Sequence, residues 1–159
     1  MATLSTPDLI DQFPECRVLT DFVHFGGVTS FFGPILTVEC FEDNSLIKQE
    51  LSKPGNGEIL VVSGNKSNRV ALLGDNIALM AQKNGWKGIV IDGYVRDVEI
   101  LNGVRIGVMA IGSCPRKSKK ENKGIIGNPI KINEVLISTK EWLYADQNGI
   151  IISNTELKF

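Results

Sequence analysis

Arg96 and Asp97 stand side by side just past an apolar run, Gly88-Ile-Val-Ile-Asp92, and Gly74-Asp75-Asn76 lies shortly before it. A guanidinium fork can hold a carboxylate or an enolate oxygen through two parallel bonds. A carboxylate is a hard oxygen ligand, and an octahedral ion such as Mg²⁺ needs only one or two of them when substrate and water fill the other positions. Upstream, the glycine turn opens a helix whose first N–H groups lack partners and whose dipole favours an anion, so Asn76 and Ile77 amides are candidates to receive a carboxylate. Guanidinium, carboxylate and amide nest together are what binding a small 2-oxo acid on a divalent metal requires. Each piece also has a plainer reading. Gly74-Asp75-Asn76 suits an ordinary helix cap, Arg96 can pair with Asp92 or Asp97, and Asp97 can cap the segment after it. The residues alone leave both readings open.

Other chemistries find less support. His24 is the only histidine, and no G-x-S-x-G nucleophile motif accompanies it, so it is read as structural. Gly64-Asn65-Lys66-Ser67 is too short for a phosphate-binding loop, and Lys66 is read as a loop cation. Cys16, Cys40 and Cys114 are odd in number and lack C-x-x-C spacing, which argues against a disulfide framework or a thiolate zinc site and suits a reducing compartment. The net charge of −1 gives no reason to expect direct capture of nucleic acid or of an anionic membrane. The basic run Arg116-Lys117-Ser118-Lys119-Lys120 is taken as a solvated loop. The N-terminal segment from Met1 to Asp8 has neither a charged nor an apolar leader region, and no apolar run approaches the ~20 residues that span a bilayer, so a cytoplasmic protein is expected.

The elements that must position these groups follow from the apolar pattern. At 159 residues the chain is read as one domain. Thr6 to Phe13 is a short helix with Thr6 as cap and Pro7 in the first turn. Gly33 to Phe41 alternates as a strand, and Glu42-Asp43-Asn44 ends it and caps a helix through Leu51, with Leu46, Ile47 and Leu51 on one stripe. Glu58 to Ser63, Gly88 to Asp92 and Ile106 to Ile111 are buried strands, and Asn76 to Asn84 is a helix stopped by Gly85. Strand, helix, strand in that order implies parallel pairing. Pro129 to Ile137 and Gly149 to Ser153 are read as further strands, with Glu141 to Asp146 between them. The whole is a mixed α/β domain with a central sheet.

Several ordered segments resemble the RraA-like family, which includes regulators of ribonuclease activity and metal-dependent 4-hydroxy-4-methyl-2-oxoglutarate aldolases. They are Phe25-Gly26-Gly27, Cys40-Phe41-Glu42-Asp43-Asn44, Ile59 to Val62, Asn84 to Gly88, Val95-Arg96-Asp97, Leu143 to Asp146 and Gly149-Ile150-Ile151. The resemblance spans nearly the whole chain. It implies a swivelling β/β/α domain that assembles as a homotrimer or hexamer with sites at subunit interfaces. It also implies that Gly74, Asp75, Asn76 and Ile77 hold the pyruvyl part of the substrate, with Arg96 as the substrate-binding and catalytic arginine. Asp97 would be the ligand of a divalent cation (Mg²⁺ or Mn²⁺), and Asp75 would position a catalytic water. The implied reaction is release of pyruvate by aldol cleavage, with oxaloacetate decarboxylation on the same site. The alternative it carries is a non-catalytic regulator that binds a ribonuclease of the RNase E type. One departure stands out: where the aldolase pattern has an acidic residue three positions after the metal aspartate, this chain has Ile100, with Glu99 one step earlier.

Overall fold

The computed structural model describes residues 3–159; Met1 and Ala2, the start of the segment read for a leader, lie outside the described residues. In chain order the elements are α1 (Thr6–Gln12), β1 (Arg17–Leu19), β2 (Val23–His24), β3 (Phe31–Glu39), α2 (Ser45–Leu51), β4 (Ile59–Ser63), β5 (Ala71–Leu73) and α3 (Asp75–Lys83). They continue with β6 (Gly88–Val95), α4 (Val98–Leu101), β7 (Gly107–Ser113), β8 (Ile125–Ile126), β9 (Ile130–Ile132), β10 (Val135–Ile137), β11 (Trp142–Asp146) and β12 (Gly149–Ser153).

The apolar runs form the middle of one mixed sheet, ordered β1-β12-β11-β3-β4-β6-β7-β2, with β5 beside β6 and β8 beside β3. β3, β4, β6 and β7 are parallel neighbours, as the strand–helix–strand order requires. Side chains alternate across a strand, so a doubly covered strand feeds two cores. On one face, Leu60 and Val62 of β4 and Ile89 and Ile91 of β6 meet Ile47, Leu51, Ala78, Ala81 and Leu101 from the helices. On the other, Ile59, Val61 and Val90 meet Leu143, Ile150, Ile152 and the β9–β10 hairpin. The layers are therefore β, β and α, as expected for the swivelling arrangement.

β3 makes this possible by changing partners along its length. Phe31 to Pro34 pair antiparallel with β11, and Ile35 to Glu39 pair parallel with β4. Pro34 stands at the changeover, where its missing N–H removes only one ladder bond. The sheet curls there and brings its outer strands back over its own centre.

Four expectations are revised. The α1 cap is Ser5, whose hydroxyl accepts the Asp8 N–H at 3.3 Å, while Thr6 is the first helical residue. Thr6 instead sends its N–H and its hydroxyl to Asp146, both at 2.7 Å. The single strand from Pro129 to Ile137 is a hairpin, turned by Asn133 and Glu134 at φ 49° and 65°. That pair of left-handed residues is the conformation that two-residue hairpin loops favour. Trp142 to Asp146 is itself a strand, and β6 runs three residues past Asp92, through a register shift, to Val95. Other boundaries hold closely. α3 stops at Gly85, where Gly85 N–H reaches Gln82 O and Trp86 N–H reaches Ala81 O, the paired bonds of a left-handed helix stop. No helix among the described residues is long and apolar enough to cross a membrane.

Asp146 ties α1 to the sheet. Burial alone raises its carboxyl, but the donors from Thr6 and the Asn148 amide bring it below the ordinary carboxylate value. A group lowered in the folded state adds stability above its unfolded pKa of about 3.9 and loses it as pH falls through the folded value. Asp146→Asn should therefore cost about 2–3 kcal/mol at pH 7, read from urea unfolding, because one acceptor becomes a donor facing donors. The gap from the native chain should narrow towards pH 3; an equal gap at both pH values would contradict this account.

Candidate active site

β5 and β6 lie parallel and finish together, with Leu73 opposite Val95. The segments leaving them therefore emerge side by side at the carboxyl end of the sheet, where open α/β sheets place ligands. Arg96 N–H closes the corner on Leu73 O at 2.9 Å. Asp97 then takes a left-handed conformation (φ 57°, ψ 41°), which turns the chain into α4. Its Oδ2 accepts the Asp75 N–H at 3.2 Å, so the carboxylate already faces the start of α3. Gly74 permits this approach: a Cβ there would lie 2.7 Å from Asp97 Oδ2.

The anion nest is narrower than the sequence implied. Asn76 N–H is taken by Asp75's own Oδ1 at 2.8 Å. Ile77 N–H makes no hydrogen bond among the described residues and is the amide left for a ligand. Arg96 is only loosely engaged, with Nε 4.0 Å from Asp97 Oδ2 and Nη1 3.4 Å from Pro115 O. Its other proposed partner, Asp92, is buried and paired with Lys66 Nζ at 2.7 Å. The Arg96 and Asp97 side chains remain 40% and 36% exposed, so both are available to a ligand.

Gly74, Asp75, Asn76, Ile77, Arg96 and Asp97 all line one cavity of about 270 Å³. Its remaining wall was not foreseen. Asn44 is the N-cap of α2 and Lys48 lies in its last turn, and Lys117, Ser118 and Lys120 come from the basic run. The charged side chains of that run are exposed, as read, but its main chain is fastened to the fold. Arg116 O accepts the Ala71 N–H at 2.7 Å, Ser118 Oγ accepts the Asn44 N–H at 3.2 Å, and Lys119 N–H donates to Glu42 O at 2.9 Å. The one available signal was its position directly after β7, the strand beside β6. The lining thus carries four cations (Lys48, Arg96, Lys117 and Lys120) against two carboxylates (Asp75 and Asp97). The excess of positive charge in a concave site favours a small polyanion.

Three other acids or neighbours do not join it. Glu42 Oε2 is held by Ser67 Oγ at 2.6 Å and Arg69 Nε at 2.5 Å, which draws its carboxyl below the usual value. Glu99 and Ile100 on α4 are exposed and line no part of the cavity. His24 lies outside the cavity lining, with Nε2 on Asp146 O at 2.7 Å, and the three cysteines are free.

The donor set decides which metal fits. Among the described residues no group of three or more His, Cys, Asp or Glu gathers. A closed tetrahedral zinc site is thus not supplied. Asp97, with Asp75 close by, matches a hard ion that keeps waters and substrate oxygens as its other ligands.

The family model described as RraA-like (Aldolase/RraA) matches residues 6–152. A Xanthomonas campestris pv. campestris (strain 8004) protein named "Putative 4-hydroxy-4-methyl-2-oxoglutarate aldolase" is 49% identical over 156 residues, covering 98% of this chain and 94% of that one. Among solved structures, the RNA-processing inhibitor RraA from Thermus thermophilis superposes with a TM-score of 0.96 at 39% identity, covering 99% of this chain and 96% of that one. A Geobacillus kaustophilus protein titled S-adenosylmethionine: 2-dimethylmenaquinone methyltransferase superposes with a TM-score of 0.95 at 43% identity, covering 97% of each chain. On the family match and these identities, the chain belongs to the RraA-like family.

Proposed function

We propose that this chain is a divalent-metal-dependent aldolase that cleaves 4-hydroxy-4-methyl-2-oxoglutarate into two pyruvates and decarboxylates oxaloacetate at the same site. The observation that carries the reading is the meeting of Arg96, Asp97 and the start of α3 in one cation-rich cavity. Mg²⁺ or Mn²⁺, held by Asp97, would supply Lewis-acid polarisation of the 2-oxo group. The chain's own residues do the rest. Ile77 N–H and the positive end of α3 receive the substrate's 1-carboxylate. Arg96, nearly unpaired in the fold, offsets the negative charge that grows on the 2-oxo oxygen as the C3–C4 bond breaks. Asp75 has Oδ1 engaged by Asn76, leaving Oδ2 to hold the water that takes the proton from the C4 hydroxyl. Lys117 and Lys120, on the added wall, face the second carboxylate.

Oxaloacetate decarboxylation follows from the same parts. Its C3–C4 electrons move onto the same 2-oxo oxygen, and CO₂ leaves without a hydroxyl proton to remove. The cation-rich lining argues against a sulfonium methyl donor, which would enter as a cation. The assembly expected is a homotrimer or hexamer, in which a neighbouring subunit's acid takes the place that Ile100 does not fill.

The second reading, a non-catalytic regulator binding a ribonuclease of the RNase E type, is favoured by the likeness to the RNA-processing inhibitor. It places no demand on the cavity. A complex with such a ribonuclease that is indifferent to Asp97→Ala, from a chain that releases no pyruvate, would support it over the enzyme.

The direct test is pyruvate release from 4-hydroxy-4-methyl-2-oxoglutarate and from oxaloacetate with Mg²⁺ or Mn²⁺, then with EDTA. Chelation should abolish turnover, and Arg96→Ala and Asp97→Ala should each lower kcat/KM by about 10²-fold or more. Activity that survives chelation or either change would sink the site as drawn.

Gly74→Ala asks a sharper question. Its backbone (φ −133°, ψ −169°) suits alanine, so the melting temperature should stay near that of the native chain. The new Cβ would push on Asp97 Oδ2, and the Mg²⁺ concentration needed for half-maximal activity should rise about 10–100-fold. An unchanged metal requirement would show that the Asp97 carboxylate is not the ligand.

A further inference from the structure

We propose that Asp43 is a positioning residue: its buried carboxylate clamps the segment 115–124 across the cavity and so sets where Lys117 and Lys120 stand. The proposal rests on the aldolase reading for its substrate, a 2-oxo dicarboxylate, but not for the clamp itself.

The segment between β7 and β8 is held by polar contacts, among them Asn122 N–H on Ser45 Oγ at 3.1 Å. From Pro115 to Gly124 every residue except Ser118 is exposed, and no apolar side chain of the segment joins a core. A strap without apolar anchors depends on its hydrogen bonds, and exposed ones contribute little net order. Near one end, Ala71 N–H holds Arg116 O at 2.7 Å. At the other, β8 pairs with Val38 and Glu39. Between these points the strap meets the turn after β3. Lys119 N–H reaches Glu42 O at 2.9 Å, Asn44 N–H reaches Lys119 O at 3.3 Å, and Asn44 N–H also reaches Ser118 Oγ at 3.2 Å.

Asp43 is the charged member of that junction and is 2% exposed. Its Oδ1 accepts the Ser45 N–H at 2.9 Å, at the start of α2, and its Oδ2 accepts the Glu121 N–H at 2.7 Å, in the strap. One carboxylate therefore joins the helix that carries Lys48 to the strap that carries Lys117 and Lys120. Charge-assisted bonds of this length are among the stronger ones a protein makes, and here the accepting carboxylate is buried. Burial alone would raise the carboxyl, yet the Ser45 side chain and the amides of Ser45, Glu121 and Lys123 keep it below its ordinary value, which suits a clamp that stays charged. Asp43 does not line the cavity, so its effect on a ligand passes through the lysines it places.

The test uses Asp43→Asn together with Glu121→Pro, which deletes the strap's donor N–H and leaves Asp43 in place. Amide hydrogen exchange across residues 117–123 should quicken in both variants. With Mg²⁺ and oxaloacetate, KM should rise about tenfold while kcat stays within about threefold, because the binding cations move and Arg96 and Asp97 do not. Unchanged exchange in the strap, or a fall in kcat with KM unchanged, would overturn the clamp. If the native chain turns over no oxaloacetate, the aldolase reading fails separately. The clamp is then judged by strap exchange and by calorimetric binding of oxaloacetate itself, which should weaken about tenfold in both variants and would refute the clamp by staying constant.

Discussion

β3 is the constraint on which the rest of the molecule depends. Nine residues must serve two ladders of opposite sense, antiparallel to β11 at the start and parallel to β4 at the end. The two ladders are staggered, β11 on the first half of the strand and β4 on the second, and the sheet curls at the changeover. The curl that results lets β4 and β6 alternate their side chains into two separate cores, with no residue of β4 left exposed. Full burial on both faces is what forces helices onto one side and returning strands onto the other. It also fixes where function can sit. The parallel strands all point their carboxyl ends the same way, and the turn that leaves β3 arrives at that end beside those leaving β5 and β6.

The site is therefore an assembly of chain ends rather than of side chains projecting from a surface. Asp97 is held in a left-handed conformation that few residues other than glycine, asparagine and aspartate adopt readily, and its carboxylate is turned back onto the α3 amide. That single contact uses up one free donor of the helix and sets the distance between the acid and the anion nest. Arg96 gets no such fixing. Its nearest acid is 4.0 Å away, beyond hydrogen-bonding range, so its charge is left for something else to meet. A guanidinium held only by a 3.4 Å bond to Pro115 O and a 4.0 Å ion pair keeps most of its hydrogen-bonding capacity free. It is easy to explain as part of an anion site.

Much of this was legible in the chain. Continuous apolar runs identified β4, β6 and β7, Gly85 marked the end of α3, and the spacing of Gly74-Asp75-Asn76 from Arg96-Asp97 brought six lining residues into one place. What escaped was of two physical kinds. Some features are too short for periodicity to show: β1, β2 and β5 have three, two and three residues, and the hairpin turn at Asn133-Glu134 contains no glycine to announce it. Others depend on partners distant in sequence. The basic run reads as solvated because nothing local binds it, and its clamp lies 78 residues upstream. Thr6 reads as the cap on local grounds, but Asp146, 140 residues away, claims its hydroxyl, and Ser5 caps α1 instead.

Asp43 and Asp146 point to a rule about how this fold attaches its periphery. α1 docks partly through Leu9 and its apolar neighbours, whereas the strap has no apolar anchor, and each is also fastened by one buried carboxylate accepting N–H and, for α1, hydroxyl donors. Removing a carboxylate from water is costly unless donors replace the lost hydration. Neutral side-chain donors and backbone amides do this without adding a competing cation, and both acids end with pKa values below the ordinary range. The arrangement holds a segment in one register, because an amide bond of 2.7 Å to a fixed oxygen tolerates little sliding. For α1 that register is structural. For the strap it decides which lysines overlook the cavity, so the same device that fastens an edge of the fold sets the charge of its site.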